Sequence, residues 1–450
     1  MSTRRDFLKT GAVAATTLAA TTAAIFPDEL PLMRSVHAAG MERIRVGMIG
    51  CGGRCGGAAN EILQAGEDVR LAAMTDAFES RMENKRAWFA ENYAEQFEVT
   101  DATAFHGTDG YRGVIENSDV VLIACASKFH PYYAREAIRA GKHVFVEKPS
   151  AIDPAGIVAL REAFDLAEEK NLSMVAGLQS RFENRYRETI EQIHNGLIGD
   201  VITMQAMFLR GPYVIAPRLT DRPMTETEFQ YWNWYHFRWL SGDDVIQSLV
   251  HNMDRVAWIL GEQMPKWCFS LAGRSTSFGE NYGDMFDHHA VVYEYENGPA
   301  VYALCQTRDG CYGNSGDIVR GSKGTCWLDH GSIRDLSGKE IWKFAGQWNN
   351  PYLDEQISLA QSIRDGKPIN SGYHAVNSTL SGVMGQLASY VGSVVTWEQM
   401  ESSTFEWEPA WDVASMEMVP PVEPIEDGKA GLDRDYPLPI PGVTRYPGIG

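Results

Sequence analysis

The feature that most constrains the fold is a glycine-rich turn lodged between an apolar run and a helical pattern. Residues 45–49, Arg-Val-Gly-Met-Ile, read as a short buried strand; Gly50-Cys51-Gly52-Gly53-Arg54-Cys55-Gly56 follows as a turn, and residues 58–65 begin a helix. A second apolar strand over 69–75 leads directly into Asp76. Glycines let backbone N–H groups approach a pyrophosphate closely, and the positive end of the following helix attracts it. A carboxylate ending the second strand accepts hydrogen bonds from adenosine ribose hydroxyls and repels a 2′-phosphate. The segment therefore reads as a Rossmann βαβ unit holding a nicotinamide dinucleotide through Gly50, Gly52, Gly53, Arg54 and Asp76, with NAD favoured over NADP. One departure stands out. Cys55 occupies the place of the third glycine of GxGxxG, leaving Gly56 and Gly57 to relieve the helix packing.

The pattern continues downstream. Residues 120–126 and 143–146 are continuous apolar runs of the kind buried on both faces of a parallel sheet, with a helix expected over 131–141 between them. An amphipathic helix over 157–170 and a strand over 173–177 complete a doubly wound sheet. Beyond Gln179 the texture changes to alternating strands over 201–209, 267–272, 288–296, 300–307, 317–321 and 324–329, with helices over 186–195, 245–260 and 380–395. The fold class is α/β: an N-terminal Rossmann doubly wound parallel sheet over 40–178, then an α+β domain with a mostly antiparallel open sheet over 179–407. A proline-rich arm over 408–450 is expected to pack on its own domain or on a neighbouring subunit.

The first 39 residues are set apart from the fold. Thr3-Arg4-Arg5-Asp6-Phe7-Leu8-Lys9, a weakly apolar run and Val36-His37-Ala38 form a twin-arginine export pattern, which predicts a periplasmic or otherwise exported protein that folds before translocation, with no stable membrane anchor. Free NAD is scarce outside the inner membrane, so the cofactor is expected to be retained and recycled within the site. Seven cysteines without a CxxC pair suggest neither a disulfide framework nor a zinc site. The net charge of −19 argues against a nucleic-acid partner. Asp287-His288-His289 lacks further ligands at metal spacing, so no metal is expected.

Glu147-Lys148-Pro149 follows an apolar strand, which directs it into the crevice, where a lysine can polarise or protonate a substrate oxygen. Gln179, Arg181 and Arg185 emerge at the crevice end of the last Rossmann strand, to contact substrate oxygens or cofactor, the arginines equally well to form salt bridges. Between residues 229 and 239 lie Tyr231, Trp232, Trp234, Tyr235, Phe237 and Trp239, a density suited to stacking on a sugar, with one or two such as Trp234 reaching the pocket.

Taken together, the glycine turn, Glu147-Lys148-Pro149, and His251 with Asp254 in one helix resemble the glucose-fructose oxidoreductase, inositol dehydrogenase and MocA (Gfo/Idh/MocA) family, from about residue 43 to 400. The resemblance implies that Lys148 is the catalytic lysine and that Glu147 contacts the cofactor ribose or the lysine. It implies that the loop from Ser127 to His130 lies along the nicotinamide, that His251 is the general acid/base, and that Asp254 neighbours the substrate. Many relatives carry Asp four residues before that histidine; this chain has Gln247, which removes a charge that would raise the histidine pKa. The resemblance also implies a homodimer or homotetramer. The expected function is NAD-dependent hydride transfer at a ring carbinol of a sugar, polyol or glycoside. The rivals are a redox-assisted glycoside hydrolase, in which oxidation, elimination and hydride return follow one another, and a cofactor-binding sensor without turnover.

Overall fold

The structure, a computed structural model, describes residues 43–296, 298–425 and 434–449; the expected export signal lies outside the described residues. Six strands, β1 (Ile44–Ile49), β2 (Val69–Asp76), β3 (Ala104–His106), β4 (Val120–Ile123), β5 (His143–Val146) and β6 (Met174–Ala176), form a parallel sheet in the order β3-β2-β1-β4-β5-β6. All four residues of β4 are buried, as an apolar strand covered on both faces by helices must be. The strand order reverses between β1 and β4, so the loops leaving their C-terminal ends diverge and open a crevice. The expected strand over 120–126 stops at Ile123 because residues 124–126 are the wall of that crevice. The helix after the glycine turn spans Gly53–Leu63, starting earlier than the sequence suggested. It begins at Gly53 with Gly52 as its cap, and Cys55 faces inward, fully buried, its Sγ against the Leu122 carbonyl. A small buried thiol thus replaces the third glycine without blocking the helix.

Nine further strands follow: β7 (Val201–Arg210), β8 (Trp267–Gly273), β9 (His288–Glu294), β10 (Ala300–Thr307), β11 (Asn314–Gly321), β12 (Gly324–Trp327), β13 (Ser332–Asp335), β14 (Glu340–Lys343) and β15 (Val395–Thr396). Their order is β14-β13-β12-β11-β7-β10-β9-β8-β15, antiparallel except where β10 runs alongside β7. One face buries Cys268, Val291, Tyr293, Val301, Ala303, Met204 and Val319 beneath the helix Gly372–Val391. The cross-strand row Phe269, Val292, Tyr302, Gln205 and Ile318 belongs to the other, open face.

Three differences from the sequence reading matter for the site. The helix expected over 245–260 is two pieces, a π-helical turn Val245–Leu249 and an α-helix Val250–Ile259. The helix expected at 380 begins at Gly372, because its first turns bury Asn377, Ser378 and Thr379 and show no apolar period. A helix not anticipated, Pro351–Arg364, starts at Asn350, whose side chain caps the Leu353 N–H. The C-terminal arm packs on its own chain: Trp407 N donates to Asp153 Oδ2 at 3.0 Å, Thr227 Oγ1 to Met418 O at 2.7 Å, and Gly442 N to Val391 O at 2.8 Å. No described helix is long and apolar enough to cross a membrane.

Candidate active site

The crevice outside β1 and β4 is a cleft walled by the glycine turn, Asp76, residues 124–126 and the aromatic segment Tyr231, Trp234 and Tyr235. Gly50 turns the chain with φ +100°, and a Cβ there would come within 2.6 Å of the Ala124 carbonyl; only glycine fits. At Gly52 and Gly53 a Cβ would meet nothing within 4 Å, and the Gly53–Leu63 helix offers its N-terminus with no side-chain cap. Open space before an uncapped helix start is what an incoming pyrophosphate requires. Asp76 is pinned at the wall: Oδ2 accepts from Cys51 N at 2.7 Å and Oδ1 from Phe78 N at 3.0 Å. Each oxygen retains acceptor capacity for a ribose hydroxyl. Burial raises its pKa, against the two backbone donors and the Arg81 charge. The turn, the helix end and Asp76 therefore suit a dinucleotide.

Arg54, expected at the cofactor, lines the cleft but directs its guanidinium elsewhere. It pairs with Glu147 at 2.8 Å and Glu61 at 2.5 Å and lies 4.7 Å from the Tyr352 ring centroid. Glu147 Oε2 also accepts the Lys148 N–H at 3.0 Å, so this carboxylate anchors the Lys148 backbone. Glu355, on the unanticipated helix, is fully buried with neither oxygen hydrogen-bonded. Burial, then the Glu147 charge, push its pKa well up, so it remains a neutral acid beside an arginine already shared by two carboxylates.

Lys148 reaches across to the second domain, where its Nζ donates to the Gln247 carbonyl at 3.0 Å within the π-helical turn. Its pKa is lowered by burial and by the charges of Arg210 and Arg54, against Glu147 and Asp244. The Gln247 side chain faces away, donating to Ser127 Oγ at 2.8 Å and Ser241 O at 2.6 Å. The Gln247 amide thus tethers the π-helical turn to the 127–130 loop. His251 follows the π-helical turn. Its ring lies 6.4 Å from that of Phe208 and its buried Nδ1 has no partner. Burial, then Lys148 and Arg255, push the imidazole pKa well below its usual value, leaving it neutral.

Other expected site residues have different places. His130 is a loop strut, its Nδ1 2.8 Å from Pro149 O and its Nε2 3.1 Å from Cys125 O; burial outweighs both carbonyls and brings its pKa to about 4. Ser127, nearly inaccessible, is held by Gln247. Arg181 and Asp254, expected at the substrate, bind each other instead. Arg181 Nε lies 3.0 and 3.1 Å from the two Asp254 oxygens, its Nη2 2.8 Å from Oδ1, and its Nη1 2.8 Å from Glu262. Gln179 Nε2 donates to Tyr352 at 3.1 Å and leaves Oε1 unpartnered. Trp234 stacks on Tyr235 at 3.9 Å, and both line the dinucleotide cleft rather than a separate sugar pocket.

Sequence reasoning missed a group on the second domain. Tyr213 donates to Asp244 Oδ1 at 2.7 Å, lies 2.6 Å from Ser248 Oγ, and stacks on Tyr235 at 4.9 Å. Arg210, at the end of β7, places its guanidinium 3.6 Å from the Tyr213 ring centroid. The available signal was the alternation of β7, which puts Arg210 on the same face as Phe208, toward His251.

Residues 44–177 match the model of an oxidoreductase family with an NAD-binding Rossmann fold, and residues 190–396 match the C-terminal alpha/beta domain of the same family. Myo-inositol 2-dehydrogenase of Thermotoga maritima is 23% identical over 365 residues, covering 78% of this chain and 94% of that protein. Among solved structures, GenD2 from gentamicin A biosynthesis in complex with NAD superimposes with a TM-score of 0.57 at 19% identity, covering 79% of this chain and 97% of that one. The aldose-aldose oxidoreductase of Caulobacter crescentus complexed with glycerol gives a TM-score of 0.60 at 18% identity, covering 79% and 99%. These structural likenesses establish the shared fold.

Proposed function

The chain belongs to the Gfo/Idh/MocA oxidoreductase family, with an NAD-binding Rossmann domain and a C-terminal alpha/beta domain, and on that premise we propose that it is a dehydrogenase acting on a ring carbinol of a sugar, polyol or glycoside. The observation that carries the reading is Lys148, a half-buried ammonium at the junction of the two domains, held on a backbone carbonyl rather than by a carboxylate. When bound, NAD supplies hydride acceptance or donation at the carbinol carbon. Gly50, Gly52, Gly53 and Asp76 hold the dinucleotide. Lys148 Nζ exchanges the hydroxyl proton, and burial brings its pKa down toward the working range, where a proton carrier is most effective. His251, neutral, orients the hydroxyl. Glu147 and Arg54 fix the lysine, and Gln247 fixes both the lysine and the Ser127 loop. The names of the relatives, an inositol dehydrogenase and an aldose oxidoreductase among them, support a polyhydroxylated substrate.

The proposal extends to the setting. The Arg4-Arg5 pattern supports export of the folded protein with its NAD retained. Arg81 supports retention: it donates to Trp232 O at 2.8 Å and lies 3.9 Å from that ring's centroid, tying the Rossmann domain to the aromatic segment beside the cleft. Exposed Phe269, Leu271 and Tyr302 on the open sheet face support a homo-oligomer built through that face.

Native mass spectrometry of the purified protein should find NAD co-purifying, and sugars added to it should raise the reduced-nicotinamide absorbance while yielding a ketosugar. Free sugar released from glycosides without net reduction would replace the dehydrogenase with the redox-assisted hydrolase. No spectral change and no product with any sugar or polyol would leave only a binding protein.

A further inference from the structure

Within the substrate side of the site, one arginine lacks a carboxylate at ion-pairing distance. The neighbouring arginines are paired: Arg54 with Glu61 and Glu147, Arg181 with Asp254 and Glu262, Arg255 with Asp317. Among the described residues no carboxylate lies that close to Arg210, and its buried Nε has no hydrogen-bond partner. The guanidinium is instead held by aromatic faces, 3.6 Å from the Tyr213 ring centroid and 5.9 Å from that of Phe208. Phe208 in turn stacks on His251, and Tyr213 hydrogen-bonds Asp244 at the start of the π-helical turn on which Lys148 rests. Arg210 therefore belongs to the wall that holds Lys148 and His251.

Charge is close enough to be felt between these groups, since Arg210 lowers the Lys148 pKa while Asp244 raises that of Arg210. Asp244 offsets only part of the positive charge, and its Oδ1 is already committed to Tyr213 and Ser248. Glu147, the carboxylate that acts most strongly on Lys148, is itself paired with Arg54, so Arg210 adds a cation that no carboxylate at ion-pairing distance balances. A rigid, stacked guanidinium with donors to spare is the side chain best matched to a planar carboxylate, which it binds through paired N–H donors.

We propose that Arg210 is the specificity residue for an acidic sugar, a uronate or aldonate, whose carboxylate it receives while a carbinol of the same molecule lies at Lys148. The inference rests on the dehydrogenase reading for the carbinol step and on the geometry of β7 for the carboxylate. A hydrogen bond to a charged group contributes about 1.5–3 kcal/mol, which corresponds to roughly a 10- to 150-fold preference for the acid over its neutral counterpart.

Calorimetry on the NAD-loaded protein with D-glucuronate, D-galacturonate, D-gluconate, D-glucose, D-galactose and D-glucose 6-phosphate tests this without relying on turnover. At least one acid should bind roughly 10- to 150-fold more tightly than its neutral partner. Arg210→Gln should abolish the preference, and Arg210→Lys should restore part of it. Thermal melts identify a variant that has not folded, in which case the lysine variant alone decides: a preference as large as in the unmodified protein overturns the role of the guanidinium fork. Equal affinity for acids and neutral sugars overturns the proposal, as does an acid preference that survives Arg210→Gln. Tighter binding of the 6-phosphate than of any carboxylate overturns the carboxylate assignment. If the acids bind selectively through Arg210 yet no sugar changes the nicotinamide absorbance, the dehydrogenase reading fails and the carboxylate site stands.

Discussion

Asp254 sits three residues beyond His251, a spacing that suggests a second substrate ligand, yet the structure gives it a different task. Its carboxylate takes three contacts at 2.8–3.1 Å from Arg181 and one from Ser378 Oγ at 3.0 Å, and the side chain is almost completely inaccessible. Arg181 belongs to the segment that leaves the Rossmann sheet, so the pair ties that segment to the helix bearing His251. Asp254→Asn keeps the shape, removes the charge, and turns one acceptor into an NH2 group facing a guanidinium. Removing one member of a buried ion pair costs about 3–5 kcal/mol. Arg181 keeps Glu262 at 2.8 Å, which puts the expected loss at the lower end, about 3 kcal/mol. With an unfolding entropy of about 2 cal/mol/K per residue over 450 residues, the melting temperature should fall by roughly 3 °C. Urea unfolding and thermal melts measure this directly. In the double variant with Arg181→Met the two losses should be less than additive, because the second change removes the stranded cation. The reasoning is refuted if Asp254→Asn melts as the unmodified protein does while KM for the sugar rises more than about tenfold, for the residue would then be a ligand after all.

Lys148→Ala should lower kcat/KM by about 10²–10⁴ while NAD still co-purifies, because it removes the proton carrier and leaves the glycine turn and Asp76 untouched. In the oxidative direction the neutral amine must accept the proton, so kcat/KM should rise with pH to a midpoint below the usual lysine value of 10.5; the same rising limb in Lys148→Ala would contradict the assignment. His130 is held neutral, its pKa brought from 6.5 to about 4 by burial. A depressed folded-state pKa means that its contribution is complete above pH 6.5 and is lost as pH falls through 4, amounting to about 3 kcal/mol. Urea denaturation of His130→Gln should therefore lose less stability than the unmodified protein over that interval. Identical pH slopes for the two would count against a buried neutral imidazole.

The Rossmann half was legible because its signals are local. A parallel strand covered on both faces needs an unbroken apolar run, and residues 120–123 supply one; a pyrophosphate turn needs glycines between strand and helix, and residues 50–53 supply those. The places of Asp76 and Lys148 follow from the same logic, since Asp76 ends one strand and Lys148 lies two residues past the end of another, both at the C-terminal edge that borders the crevice. The Pro351–Arg364 helix also had a local signal, an Asn cap followed by Pro, but its polar inner residues broke the periodic pattern. Glu355 and Gln356 are buried there because the helix packs against the Gly53–Leu63 helix and Arg54, a fact of tertiary structure only.

Partner choice among charged side chains was the part no local pattern could carry. Arg181 and Asp254 stand 73 residues apart, and each taken alone is as fit for a substrate oxygen as for the other. What decides is the balance of charge once the chain has closed. An arginine that finds a carboxylate in its own fold has its desolvation offset and becomes a structural tie, whereas one that does not must be stabilised by aromatic faces and by what enters the site. By that criterion Arg181 and Arg54, both expected at ligands, are ties, and Arg210, which no motif marks, is a substrate-side arginine without such a tie. The same accounting applies to the π-helical turn, where Gln247 is a neutral tether to Ser127 and Ser241 and offers Lys148 only its backbone carbonyl. The cationic character of the wall comes from Arg210 and Lys148, and an anionic substrate is what would balance it.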